Sequence, residues 1–272
     1  MADALLAAIG GPLKVYDLAR SYEPGMPQSP NHPAYTHALQ RRHGDSVRDD
    51  GGSAANDVIT MGTHVGTHID ALAHVSHDGR LHGGISAAEA QTGGRFRTLG
   101  AETIEPILSR GILLDVPAAI GLGACDAGYE VTPDDLDAAL ELTGVAPAPG
   151  DVLLVRTGWA QRWHEGAAVY VGHESGVPGP GEAGARWLAA QRPRAVGADS
   201  IAFERLAPGA GHALLPAHRV LLVEHGIYII ETLDLEQLAA DEVREFTLVL
   251  APLRFVGATG SPVRPLAIVS TE

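Results

Sequence analysis

Three histidines and an aspartate fall within eleven residues of this chain, His64-Val65-Gly66-Thr67-His68-Ile69-Asp70-Ala71-Leu72-Ala73-His74. Five of the 13 histidines lie between positions 64 and 82. Imidazoles and a carboxylate at this density are the composition of a metal site. Ligand atoms sit about 2.0–2.2 Å from an ion, so their side chains must converge. In an extended strand His64 and His68 would be about 13 Å apart, at about 3.3 Å per residue. Either a helical turn or a bend must bring them together. Gly66, Thr67 and the β-branched Val65 and Ile69 disfavour a helix. The expectation is a tight bend at Gly66, with His68 and Asp70 on one face of a short extended piece.

The 272 residues suffice for one large domain with a real core, and 45% of them are hydrophobic. Acidic side chains outnumber basic ones 33 to 19, a net charge of −14. Such a surface repels phosphate backbones and anionic membranes, so neither nucleic acid nor a membrane is expected as a partner. The lone Cys125 excludes an intrachain disulfide and a thiolate cluster, and suits a cytoplasmic location. The opening MADALLAAIGG has no basic residue ahead of its apolar stretch and does not read as a signal peptide.

Short runs rich in Val, Ile and Leu predict strands at Gly111–Val116, Asp151–Arg156, Ala195–Gly197, Ile227–Ile230, Phe246–Leu250 and Leu266–Val269. Thr132-Pro133-Asp134-Asp135 reads as a helix start and Gly144 as its stop. Further helices are expected over Gly181–Gln191 and Pro216–Glu224, the latter ended by Gly226. Strands outnumber helices without a regular βαβ alternation, so the class is α+β, one domain with helices around a strand-rich core. The Pro-rich, charged segment 21–52 reads as an irregular arm or lid packed on that domain.

The pattern H-x-G-T-H-x-D-x-x-x-H resembles the signature of the cyclase-like metal-dependent hydrolases, the family of bacterial kynurenine formamidase and isatin hydrolase. Further segments are similar in the same order: Gly111–Val116, Gly150–Trp159, Gly197–Ser200, Pro216–Leu222 and Ile227–Leu233. The resemblance implies the family's compact swivelling β/β/α fold over the whole chain, as a homodimer or homotetramer. It implies that His64, His68 and Asp70 hold one metal, that His218 and Glu231 hold a second with Asp70 or Glu231 shared, and that His74 is the general base. The alternative for His74, less favoured, is a ligand or a hydrogen-bond partner of one. Glu224 and His225 are alternatives to Glu231, and His212 to His218; the flanking residues favour His218 and Glu231.

Imidazoles and carboxylates without thiolate suit Zn²⁺ or Mn²⁺, one or two ions per chain. The expected activity is hydrolysis of the C–N bond of a small amide, formamide or lactam, by a metal-bound hydroxide with a histidine base. A ring-opening or ring-closing lyase, a mononuclear Fe(II) oxygenase and a non-catalytic metal- or ligand-binding protein are the alternatives. Asp199 could orient a ligand histidine and Arg156 could pair with a substrate carboxylate or a structural acid, but a purely structural role is favoured for both. Trp159, Trp163 and Tyr170 would line a pocket or fill the core.

Overall fold

The computed structural model describes residues 11–271; most of the N-terminal apolar stretch lies outside the described residues. Nine strands form one mixed sheet: β1 (Leu13–Asp17), β2 (His68–Asp70), β3 (Ile107–Asp115), β4 (Val152–Arg156), β5 (Ala195–Ala198), β6 (Tyr228–Glu231), β7 (Glu245–Leu250), β8 (Gly260–Pro262) and β9 (Leu266–Ser270). Their order is β1-β9-β7-β3-β4-β5-β6-β2-β8. The neighbours β3, β4, β5 and β6 pair in parallel, and the flanking strands pair antiparallel.

The continuous apolar runs are strands buried on both faces. In β4, Leu153 and Val155 enter one hydrophobic cluster while Val152 and Leu154 enter another. The period of two places these clusters on opposite sides of the sheet. Helices Pro133–Thr143 and Glu182–Ala190 cover the first cluster through Leu136, Ala139, Ala185 and Leu188. The start of the first is as expected: Thr132 and Asp135 cap one another reciprocally, Pro133 follows, and Gly144 ends the helix at φ 68°. The architecture is α+β, strand-rich with peripheral helices.

The helix beginning at Pro216 runs three residues and continues as a π-type turn over Arg219–His225, closed by Gly226 at φ 67°. Trp159, Trp163 and Tyr170 fill a third buried cluster with Met26 and Val65. The segment expected to be irregular is so only in part. Thr36–Arg41 pairs with Asn56–Thr60 as an antiparallel hairpin whose residues are all exposed. Its alternation is weak because neither face packs on the core. Among the described residues no helix is long and apolar enough to cross a membrane.

Candidate metal centre

The bend at Gly66 is present, at φ +65°. A Cβ there would lie 2.8 Å from the Tyr22 ring, so the close approach and the left-handed backbone both require glycine. Beyond the bend, β2 lies between β6 and β8. Its register sets His68 directly opposite Glu231 and Asp70 opposite Gly260. A side chain at Gly260 would meet the His64 ring at 2.6 Å, so this glycine leaves room for that imidazole.

The expected metal residues converge on Asp70, which is fully buried. Asp70 Oδ1 lies 2.7 Å from His64 Nδ1 and 3.5 Å from His68 Nε2, and Oδ2 lies 3.5 Å from His218 Nε2. Glu231 closes the group, 3.4 Å from His68 Nε2 and 3.1 Å from His218 Nε2. His74 stacks on His64 with ring centroids 3.9 Å apart. His64, Asp70 and His74 form one set of three potential ligands and His68, Asp70 and Glu231 another, each with donor atoms within 4.8 Å of one another. Of the alternatives, His212 lies near His218 and Glu204, and the other two lie elsewhere. Glu224 pairs with Arg186 and Arg219 on an exposed helix face, and His225 is exposed.

Hydrogen bonds fix how the imidazoles face. His68 Nδ1 is 2.8 Å from the Gly66 carbonyl, which can only accept, so Nδ1 carries the proton and Nε2 faces Asp70 and Glu231. His218 Nδ1 donates to Glu204 Oε1 at 2.7 Å, which turns its Nε2 toward the same carboxylates. His64 Nε2 sits 2.8 Å from Thr259 Oγ1. Burial pushes His68 down to about 4 and His74 down to about 3, so both are neutral at physiological pH. Burial opposes the charge on His218 as well, but the carboxylates of Asp70, Glu204 and Glu231 outweigh it and hold its proton well above the usual range. Asp70 shows the converse. Burial raises it, yet the surrounding imidazoles of His74, His218 and His64 hold it well below the usual carboxylate range. Burial raises Glu231 to about 7 against the pull of His218.

These residues fit a divalent cation. Among the described residues, the buried Asp70 Oδ2 has no hydrogen-bond partner, and such a group costs free energy unless something satisfies it. Two imidazole Nε2 atoms and two carboxylates face one another, and in the protein alone an extra proton on His218 supplies positive charge there. Imidazole and carboxylate without thiolate is the donor set of Zn²⁺ or Mn²⁺.

A family model described as "Putative cyclase" matches residues 16–205, more than half of the chain. The chain belongs to this cyclase family. The matched span contains His64, His68, Asp70 and His74 and ends before His218 and Glu231. The isatin hydrolase of Roseibium aggregatum is 26% identical over 223 residues, 81% of this chain and 77% of that protein. The crystal structure of a novel cyclase superposes with a TM-score of 0.85 at 31% identity, covering 98% of this chain and 93% of that one. Isatin hydrolase A from Ralstonia solanacearum superposes with a TM-score of 0.74 at 24% identity, covering 99% and 97%.

Three residues outside the expected set touch the histidines of the cyclase's centre, His32 by stacking on the His64 ring with centroids 5.3 Å apart. Glu204 and Thr259 each contact a histidine of the cluster. Neither stands in a pattern that marks it in the sequence. Backbone strain is a structural sign of the same place: Phe203 and Thr232, next to Glu204 and Glu231, have φ of +57° and +59°. Asp199 does not touch a histidine. It accepts from Thr157 N, Thr157 Oγ1 and Gly158 N, all within 2.9 Å, and so braces a buried turn. Arg156 is likewise structural, bonded to Asp115 and bidentate to Glu236.

Proposed function

We propose that this cyclase is a metal-dependent hydrolase that cleaves the C–N bond of a small amide, formamide or lactam. The observation that carries the reading is the convergence of His64, His68, His218 and Glu231 on Asp70, whose buried Oδ2 has no hydrogen-bond partner among the described residues. The similarity to an isatin hydrolase over 81% of the chain supports the hydrolase class and a cyclic amide as the first substrate to try. In this reading His64, His68 and Asp70 hold one Zn²⁺ or Mn²⁺ ion, and His218 and Glu231 hold a second with Asp70 shared. When bound, such a cation supplies Lewis acidity that acidifies water and polarises a carbonyl.

The chain's own residues do the rest. His74 is neutral at physiological pH, so one ring nitrogen carries a lone pair that can take a proton from the attacking water. The charge it gains lies beside Asp70, which is ionised. The same imidazolium then returns the proton to the leaving nitrogen, which restores the neutral ring. Stacking on His64 holds the His74 ring plane in place during both transfers.

The reading includes a homodimer or homotetramer, supported by the exposed hairpin with Leu39, Val58 and Ile59 on its surface. It places the protein in the cytoplasm, supported by the free thiol of Cys125. The test is metal content of protein purified without chelator, then hydrolysis of isatin, an aryl formamide and a simple lactam. Chelation abolishing turnover, with Zn²⁺ or Mn²⁺ restoring it, is the expected result. Absence of bound metal even after soaking overturns the proposal.

A further inference from the structure

We propose that Glu204 is the positioning residue that presents His218 to the cation, an inference that rests on the metal reading above. Glu204 is 1% exposed, a carboxylate committed to the interior. It stays there because it accepts three hydrogen bonds from one short stretch. Oε2 takes the Ala217 backbone N–H at 2.9 Å, and Oε1 takes the His218 backbone N–H at 2.9 Å and its Nδ1–H at 2.7 Å.

The backbone contacts have a definite cause. The helix that starts at Pro216 has no side-chain cap from Leu215, so the amides of its first turn need acceptors. Glu204 supplies them from a separate loop, and its negative charge suits a helix N-terminus. The same carboxylate fixes the ring. With Nδ1–H bound to Glu204, only Nε2 of His218 is free to face Asp70 and Glu231. One side chain thus anchors the turn, sets the tautomer and raises the basicity of the ligand nitrogen. Glu204 is not itself a ligand in this geometry, because both its oxygens are spent on His218 and Ala217. Its own placement is enforced: Phe203 before it is held at φ +57°, which swings Glu204 under the helix start.

Glutamine at this position cannot serve all three donors. Its amide nitrogen would face an N–H, and its oxygen has two lone pairs. The experiment compares wild type, Glu204→Gln and Glu204→Asp for Zn²⁺ affinity by competition with a chromophoric chelator, and for thermal midpoint with and without Zn²⁺. Glu204→Gln is expected to weaken Zn²⁺ binding roughly 10- to 100-fold, with partial recovery in Glu204→Asp. In a His218→Ala background Glu204→Gln should change the affinity no further. A residue that only braces its loop would lower the midpoint of metal-free and loaded protein equally and leave the affinity untouched, and that result overturns the inference. Should Glu204→Gln fail to fold, Glu204→Asp reads the same quantity, and an affinity equal to wild type in that variant overturns the inference as well. Wild-type protein that takes up neither Zn²⁺ nor Mn²⁺ removes the metal reading itself, and the inference with it.

Discussion

His68 and Glu231 stand directly opposite one another in the antiparallel pair β2–β6, with His68 Nε2 3.4 Å from Glu231 Oε2. The contact is a consequence of register. A slip of one residue would turn Glu231 to the opposite face of the sheet and away from Asp70.

Asp70 belongs to both sets of potential ligands, whereas Glu231 belongs to one. Asp70→Asn is therefore expected to leave the protein without bound metal, and Glu231→Gln to lose no more than one of two ions. Elemental analysis of purified variants reads this directly. Equal metal content in Asp70→Asn and wild type would disprove the shared role.

His74→Ala should fold and keep its metal but lose turnover by about 10²- to 10⁴-fold, the usual contribution of a general base. Metal content and kcat measured on one preparation separate the two possible roles. Loss of metal in this variant would make His74 a ligand, and full activity would remove it from the mechanism.

Metal loading should release a proton near neutral pH. His218 is held protonated well above the ordinary histidine range, and a cation on its Nε2 must displace that proton. Calorimetric titration of Zn²⁺ in two buffers of different ionisation enthalpy is expected to show roughly one proton released per chain at this position. Identical heats in both buffers would contradict it.

The metal-free protein should lose stability in acid over a defined window. The folded-state values of His68 and His74, about 4 and about 3, lie below 6.5. Below pH 6.5 the unfolded chain therefore binds protons that the folded one refuses, so this contribution falls away as the pH drops through 6.5 toward 3. Over the whole window the loss is up to about 8 kcal/mol for the pair. His218 acts in the opposite sense: its raised value stabilises fully below pH 6.5, and that part is lost as the pH rises through the folded-state value. Denaturant midpoints from pH 8 to pH 4 measure the sum, and an acid-independent midpoint would be inconsistent with neutral buried imidazoles.

Gly66→Ala should cost about 1–2 kcal/mol from left-handed backbone alone. The contact of its Cβ with Tyr22, at 2.8 Å, adds to that. A lower thermal midpoint together with weaker metal binding is expected, because the bend carries both His64 and His68. An unchanged midpoint would show that the bend relaxes freely.

Much of the fold was legible in local chemistry. The runs of Val, Ile and Leu around Leu113 and Leu154 mark strands buried on both faces, and Thr132-Pro133 marks a helix start whatever surrounds it. The bend at Gly66 was legible because convergence of ligands excludes an extended chain. The hairpin Thr36–Arg41 with Asn56–Thr60 was not, since an exposed ribbon carries no apolar period to read. Asp199, a polar residue at a strand end, takes the structural role favoured for it, since its hydrogen bonds close a turn.

By itself the sequence determined the imidazole and carboxylate types of the candidate centre, the bend that brings His64 and His68 toward Asp70, and the exclusion of a thiolate cluster. These depend on residue identity and short spacing, which act locally. Only the tertiary structure decided that Glu231 rather than Glu224 meets His68, that His218 turns its Nε2 inward, and that Glu204 holds it there. Those choices depend on strand register and on contacts between distant segments, and both are set by burying the two apolar faces of the sheet at once.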